Sequence, residues 1–524
     1  MEKLLIGVDV GTASARAGLF SAAGALLGAD ERQIPVRRTG PDGFEQDAGA
    51  VWRAACAAVR GALDEAGAPG GAVVGLAFAA TASLTLRDAD GAPLPLDGGQ
   101  PVEDRPCWDT LLWLDHRAMA EAAEMSAADP ALAALCGGAV SPEMQGPKAL
   151  WLKRRRPEVW ARTGMLLDLC DFLGWRATGS TARSACAVAC KWPWTGGWRD
   201  ALLDDVGLGD LRARAGLPPQ GVAPGTDLGP LTPRAARELG LSPAARVGAG
   251  LIDAHAAALG MLGRAPEAGL ALIAGTSSCV MGLRRDARAG PGLWGPCPDA
   301  VLPGLSVIEG GQSATGALLD HLIGRFGGRP ADDRAHAEIT ARVRALRAEK
   351  GPALAADLHV LPSFHGARAP VAAPAALGAI CGLALDDLTG EGGFDALCRL
   401  YWRACVALAL ELREIVEALA GAPAACTTLH MAGGHARSPL LSGLYAEAIG
   451  CALAAHDARE PALRGCAAVA AVAAGLSPRL AEAAAVFASD APVAPAAPAL
   501  ARTWDRDSAA LRLMRAQRAA LAAL

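Results

Sequence analysis

Gly248-Ala-Gly-Leu-Ile-Asp-Ala-His-Ala-Ala-Ala-Leu-Gly260, followed shortly by Ala271-Leu-Ile-Ala-Gly-Thr-Ser-Ser-Cys-Val-Met-Gly282, is the stretch that decides the fold. The first segment puts a lone carboxylate, Asp253, at the start of a helix of small residues. The second is a short apolar strand, a turn at Gly275-Thr276-Ser277-Ser278, and another apolar strand. The chain opens the same way, with Leu4-Leu-Ile-Gly-Val-Asp-Val-Gly-Thr-Ala-Ser-Ala-Arg-Ala-Gly-Leu-Phe20. Two such hairpins, about 265 residues apart, read as a duplicated half, because recurrence of one pattern is the mark of repeated architecture. Turns of consecutive backbone amides form anion nests. Two of them face to face can hold a polyphosphate, and Asp253 stands just before the second, where a substrate would meet it.

Working outward, a length of 524 residues predicts about two to four domains. The net charge is −5, and no basic run suggests a nucleic-acid partner. Much of the hydrophobic content is alanine, and no run of strongly apolar residues reaches membrane-span length, so no membrane association is expected. A strand beginning by Leu4 leaves no room for a signal-peptide layout, and a cytoplasmic location is expected. The 14 cysteines are scattered; Cys186 and Cys190 do not form a C-x-x-C, and no Cys/His group has zinc spacing. Reduced thiols are expected.

Along the chain, Ser21–Gly24 turns the first strands into a hairpin reaching Ile34, and Asp47 starts a helix carrying Val51, Trp52, Ala55 and Val59. Val73–Ala79 reads as a buried strand, and Ser83–Arg87 with Pro93–Leu96 as a hairpin turned at Asp90-Gly91. Gly138–Lys148 is loop-like before a helix around Trp151, Leu167–Trp175 carries two carboxylates, and residues 195–246 read as surface structure. In the second half, Leu305–Glu309 is a strand feeding a helix, and Ser363–Pro370 is a loop. Leu400–Leu419 is a long helix, Thr428–Met431 a strand, Cys466–Gly475 a small-residue helix, Pro492–Pro498 a linker, and Arg506–Leu524 a terminal helix. Strands alternate with helices in both halves, which predicts an α/β fold with mixed sheets.

There is no P-loop, no H-E-x-x-H and no G-x-S-x-G. Gly248-x-Gly250 begins like a dinucleotide fingerprint but closes on Asp253, against that reading. What remains are the two Gly-Thr turns, a Gly-Gly-x-x-x-Ser turn and isolated carboxylates. Asp9-x-Gly-Thr12, Gly275-Thr-Ser277 and Gly433-Gly434-x-x-x-Ser438 resemble the FGGY carbohydrate kinases of the actin-like ATPase superfamily, over roughly Leu4 to Gly475. Trp113–Ala118, Ser141–Gln145, Asp171–Trp175, Lys191–Trp194, Leu251–His255 and Gly311–Gly316 resemble its D-ribulokinase branch.

The resemblance implies two actin-like, ribonuclease H-like ATPase domains, 1–262 and 263–524, with ATP and sugar in the cleft between them and a hinge near Gly260–Ala268. It implies ATP and Mg²⁺ as cofactors, a small-molecule sugar as partner, and it allows a homodimer. By the resemblance Asp253 is the general base, and Asp9 with Asp253 organises the metal. Gly11, Thr12, Ser14, Gly275, Thr276, Ser277, Gly311, Gln312, Gly433, Gly434 and Ser438 meet ATP. Ala82, Asp115, His116, Lys191, Asp253 and Glu309 meet the sugar. Each residue also has a plainer reading: Asp9 caps its own turn, Asp253 caps a helix, the glycine pair only turns the chain, and Lys191 stacks on a neighbouring tryptophan.

The resemblance implies phosphorylation of a ketopentose, D-ribulose to D-ribulose 5-phosphate. Xylulose, L-ribulose and ribitol are alternative acceptors, and a silent sugar-binding regulator is an alternative of another class. Ala257 stands where the family usually has Gly. Ala367, Ala369 and Ala373 replace the Asn, Ser and Asp of the usual Gly-Asn-Arg-Ser-Pro and Ala-Asp-Pro loops, which removes side-chain hydrogen bonds and predicts a looser loop.

Overall fold

The computed structural model describes residues 2–102, 104–373, 375–384, 393–420, 426–457, 460–496 and 502–524. Pro374 and the end of the expected linker, Ala497 and Pro498, lie outside the described residues.

Two sheets repeat one pattern. In the first, strands Leu26–Gln33, Ser14–Ser21 and Leu4–Val10 run antiparallel, and Val73–Ala80 and Arg246–Ile252 continue in parallel. In the second, Ser306–Gln312, Ser278–Arg284 and Gly269–Ala274 are antiparallel, then Thr428–Ala432 and Ala452–Ala455 are parallel. The opening hairpin and the hairpin at Gly275 therefore occupy equivalent places. The Gly-Thr turns join Leu4–Val10 to Ser14–Ser21 in the first sheet and Gly269–Ala274 to Ser278–Arg284 in the second.

Local chemistry fixes the flanking helices. Helix Ala48–Ala66 starts where the Asp47 carboxylate accepts from the amides of Gly49 and Ala50, and it stops at Gly67 in the left-handed region. Its buried stripe of Val51, Trp52, Ala55, Val59 and Leu63 covers one face of the first sheet. The long helix Gly393–Ala420 is buried along most of its length and carries the second core around Trp402 and Leu408.

Between the sheets lie helix Asp253–Leu262 and helix Glu460–Ala473, packed on each other. They approach with backbones nearly touching. A Cβ on Gly260 would sit 2.0 Å from the Pro461 carbonyl oxygen, and one on Gly465 would sit 2.0 Å from that of Ala256. Only glycine fits at either place. The second helix also packs against strands Leu4–Val10, Val73–Ala80 and Arg246–Ile252, so residues late in the chain cover the N-terminal sheet.

Three expectations change. The Ser83–Leu96 hairpin is only a single bridge, Arg87 to Pro93. Strand Leu84–Asp88 pairs instead with Thr163–Asp168 and Thr110–Leu111, because Pro93 and Pro95 have no N–H to give a ladder. Residues 195–246 are not merely surface: Asp227–Pro230 is an edge strand of the first sheet, and Leu202, Leu203, Leu211 and Leu239 are buried. The small-residue helix begins at Glu460, ahead of Cys466. Among the described residues no helix is long and apolar enough to cross a membrane.

Candidate active site

The two Gly-Thr turns are built alike. The Gly11 amide donates to the Ser14 carbonyl at 2.9 Å, and the Gly275 amide to the Ser277 carbonyl at 2.9 Å. The first turn is braced from its own lobe. Gln46 donates to the Thr12 carbonyl at 2.6 Å, and Trp113 Nε1 donates to Thr12 Oγ1 at 2.9 Å. With its oxygen accepting from Trp113, the Thr12 hydroxyl keeps its proton for an outside acceptor. The second turn is braced by Thr315, whose hydroxyl donates to Gly275 and whose amide donates to Thr276, both at 2.9 Å.

A cavity of about 540 Å³ opens between these turns. Thr12 and Ser277 line it, with Asp253, Lys191, Glu309 and Ala82. The walls come from both halves of the chain: Glu309 and Ser277 from the second sheet, the others from the first lobe and its insert.

The electrostatics of this cavity are those of buried, mutually dependent charges. Burial raises the pKa of Asp253 to about 6, helped by the nearby Asp9 carboxylate and opposed by the Ala254 amide, which donates to Oδ1 at 2.8 Å. Asp9 is also raised by burial, against the pull of Arg16, whose guanidinium donates to Oδ2 at 2.5 Å. Asp9 Oδ1 is buried without a partner. An orphaned, desolvated carboxylate oxygen carries a cost that a ligand would relieve.

Glu309 behaves in the opposite sense. Burial pushes its pKa up, but His255 Nε2 at 3.6 Å and the Lys191 ammonium outweigh this and hold it at about 2. Burial works against the His255 imidazolium, yet the Cys186 sulfur, 3.0 Å from Nδ1, and Glu309 raise it to about 10. Lys191 likewise stays charged: burial opposes it, and Glu309 and Glu143 more than compensate. Its ammonium lies 5.1 Å from the centre of the Trp294 ring. The cavity thus holds a paired set of fixed charges beside one carboxylate, Asp253, poised to take a proton.

Except for Gly311, the other expected residues stand outside the cavity lining. Asp115 accepts from the Phe44 amide at 2.8 Å and from Arg117 at 2.9 Å. His116 reaches the cavity only through Glu143, 3.3 Å away. Gln312 is buried, donating to the Leu408 carbonyl and to Glu411. Gly433 has φ 97°, and a Cβ there would meet the Ala274 carbonyl oxygen at 2.3 Å, so glycine lets this turn lie against the strand feeding Gly275. Gly434 faces open space, and Ser438 caps helix Pro439–Ile449. Gly311 lines the cavity beside Arg368.

The alanine-substituted loop is not loose. Ala367 and Ala373 exchange both backbone hydrogen bonds at 2.9 Å, and the Val371 and Ala372 amides donate to the Arg368 carbonyl. Ala367 and Ala369 are buried, so apolar packing and main-chain bonds replace the missing side-chain bonds. Sequence reasoning left out Glu143, Arg368 and Thr315, which all touch the cavity or its turns.

A duplicated sheet with a Gly-Thr turn in each half and a cavity between them is the architecture of actin-like sugar kinases. The chain belongs to the FGGY family of carbohydrate kinases: the N-terminal domain profile matches residues 4–260 and the C-terminal domain profile residues 270–474. It is 36% identical to the human FGGY carbohydrate kinase domain-containing protein over 90% of this chain and 89% of that one. It is 29% identical to a D-ribulokinase of Saccharomyces cerevisiae over 86% of this chain and 68% of that one. A xylulose kinase from Rhodospirillum rubrum superposes with a TM-score of 0.78 at 23% identity, covering 98% of this chain and 99% of that one. A gluconate kinase from Lactobacillus acidophilus gives 0.81 at 18% identity, covering 99% and 98%. The protein is therefore a sugar kinase.

Proposed function

We propose that the protein phosphorylates a ketopentose with ATP, converting D-ribulose to D-ribulose 5-phosphate. The observation that carries this reading is the single proton-accepting carboxylate, Asp253, in a cavity lined by both phosphate turns and by the Lys191–Glu309 pair. The yeast relative named D-ribulokinase supports the choice of sugar.

The chemistry follows from the residues. Lys191 donates to sugar hydroxyl oxygens and Glu309 accepts from sugar hydroxyls, while Ala82 offers its backbone. Asp253 takes the proton of the terminal hydroxyl as its oxygen bonds to the γ-phosphorus. The bond from that phosphorus to the β,γ-bridging oxygen breaks, and ADP leaves. A positioned base of this kind contributes typically 10²–10⁴ in rate. The amides and hydroxyls at Thr12, Thr276 and Ser277 hold the transferring phosphates in line, which in phosphoryl transfer is the larger share.

Mg²⁺ fits the residues present. It binds through hard oxygens, keeps several waters, and needs only one or two carboxylates, and Asp9 has a buried carboxylate oxygen with no partner beside Asp253. Asp9 and Asp253 would hold it, and when bound it neutralises charge on the transferring phosphates. Residues 1–262 supply the base, the first turn and most of the sugar wall; residues 263–524 supply the second turn and Glu309. Gly433, Gly434 and Ser438 are assigned to the nucleotide.

The test is ADP release measured across D-ribulose, L-ribulose, xylulose, ribitol, hexuloses and no sugar. D-ribulose should give the highest kcat/KM. A higher value with another pentulose or pentitol would move the substrate within this class. No ADP release with any sugar would leave the silent regulator.

A further inference from the structure

Glu143 is a loop carboxylate from the insert of the first half, just ahead of helix Gln145–Arg155. It is 8% exposed and lines the cavity. Its Oε1 receives two donors, His116 Nε2 at 3.3 Å and Arg368 Nη2 at 3.5 Å. No described residue donates to its Oε2. A carboxylate oxygen that opens onto the cavity without a donor is free to accept a hydroxyl.

Its second partner comes from the other half. Arg368 belongs to the loop after strand His359–Leu361, and its side chain runs over Gly311, with Cδ and Nη1 3.7 Å from where a Cβ would be. A Cβ at position 311 would only touch it; the close neighbour there is the Ser278 carbonyl oxygen at 2.7 Å, so Gly311 lets its strand lie tight against the next. The Arg368 backbone is fixed by the loop bonds described above, so its guanidinium reaches Glu143 only while the two halves are together.

We infer that Glu143 is a further sugar-binding residue, accepting a hydroxyl of the bound pentulose through Oε2, and that Arg368 is a positioning residue that latches Glu143 across the cleft. The inference rests on the sugar-kinase reading above. It assigns the Arg368 charge to Glu143, not to ATP, and it couples occupancy of the sugar pocket to closure. Burial acts to raise the Glu143 pKa, but His116, Arg368 and Lys191 overcome it and keep the carboxylate ionised, as an acceptor must be. Closure matters because it excludes the water that would otherwise take the phosphate.

The experiment uses the full chain and the variants Glu143→Gln, Arg368→Met and Arg368→Lys. KM for D-ribulose and for ATP is read by ADP release, with the best pentulose of the panel replacing D-ribulose if it is not the best substrate. Small-angle scattering with and without sugar reads closure, and melting curves check folding. Glu143→Gln should raise the sugar KM at least tenfold and leave the ATP KM within twofold. Arg368→Met should raise the sugar KM severalfold and reduce the sugar-induced compaction, and Arg368→Lys should restore part of both. If Glu143→Gln does not fold, the partly exposed Arg368 pair decides the question alone. An unchanged sugar KM in the folded variants, or sugar and ATP KM rising together, overturns the inference while wild-type activity keeps the sugar-kinase reading intact. Wild-type enzyme inactive on every sugar overturns both.

Discussion

Protonation of Asp253 should shape the acid limb of the pH–rate profile. An ordinary aspartate, near 3.8, is almost fully ionised at pH 5 and would leave the rate flat there. Asp253 is raised to about 6 by burial and by Asp9. Below a group's pKa the ionised fraction falls tenfold per pH unit, so at pH 5 about one-eleventh of the enzyme carries the base in its working form. The sugar kcat/KM, which reports the free enzyme, should therefore fall about tenfold between its plateau and pH 5. Asp253→Asn keeps the size of the side chain and an oxygen for the Ala254 amide, though the side chain is not the helix cap, but it cannot accept the proton. It should lose about 10²–10⁴ in kcat, show no acid limb near 6, and bind ATP about as well as the native enzyme. Asp9→Asn removes the second cause of the shift and should move the limb downward. The assay is ADP release from pH 4.5 to 8 with calorimetric affinities for ATP and D-ribulose and a melting curve for each variant. A folded Asp253→Asn enzyme with near-native kcat, or a native profile flat to pH 5, would refute the assignment of the base.

Lys191→Ala and Glu309→Ala each remove a charged group on the cavity wall that would bond sugar hydroxyls, a loss of about 1–3 kcal/mol, so the sugar KM should rise roughly fivefold to 150-fold with little change in the ATP KM; steady-state kinetics in both substrates decide it. ATP turnover without sugar should be slow, since an open cleft leaves the base and the two turns unassembled around the phosphate, and saturating pentulose should stimulate it strongly in the same assay. Gly465→Ala would place a methyl 2.0 Å from the Ala256 carbonyl oxygen, where both neighbours are backbone. Such overpacking costs typically about 1–3 kcal/mol, and calorimetry should show a lowered Tm.

What could be read from the sequence was local. An apolar strand, a Gly-Thr turn and a second strand are contiguous in both halves, so the repeat and its phosphate turns are written in short stretches. The interlobe helix, expected from Cys466, starts at Glu460 and runs through a proline and a glycine. Pro461 lies in the first turn, where no N–H is required, and Gly465 is there for contact with Ala256, far away in sequence. The Ser83–Leu96 hairpin failed for the converse reason: a good turn at Gly91 exists, but the strand beside it finds better partners at Thr163–Asp168. Glu143 had no periodicity to mark it. Its meaning comes from Arg368, 225 positions on, as that of Glu309 comes from His255 and Lys191. The duplicated strand–turn–strand unit is thus visible in a chain read alone, whereas the charged residues of the cavity come from segments far apart in sequence and from both halves, and no short stretch marks them as neighbours.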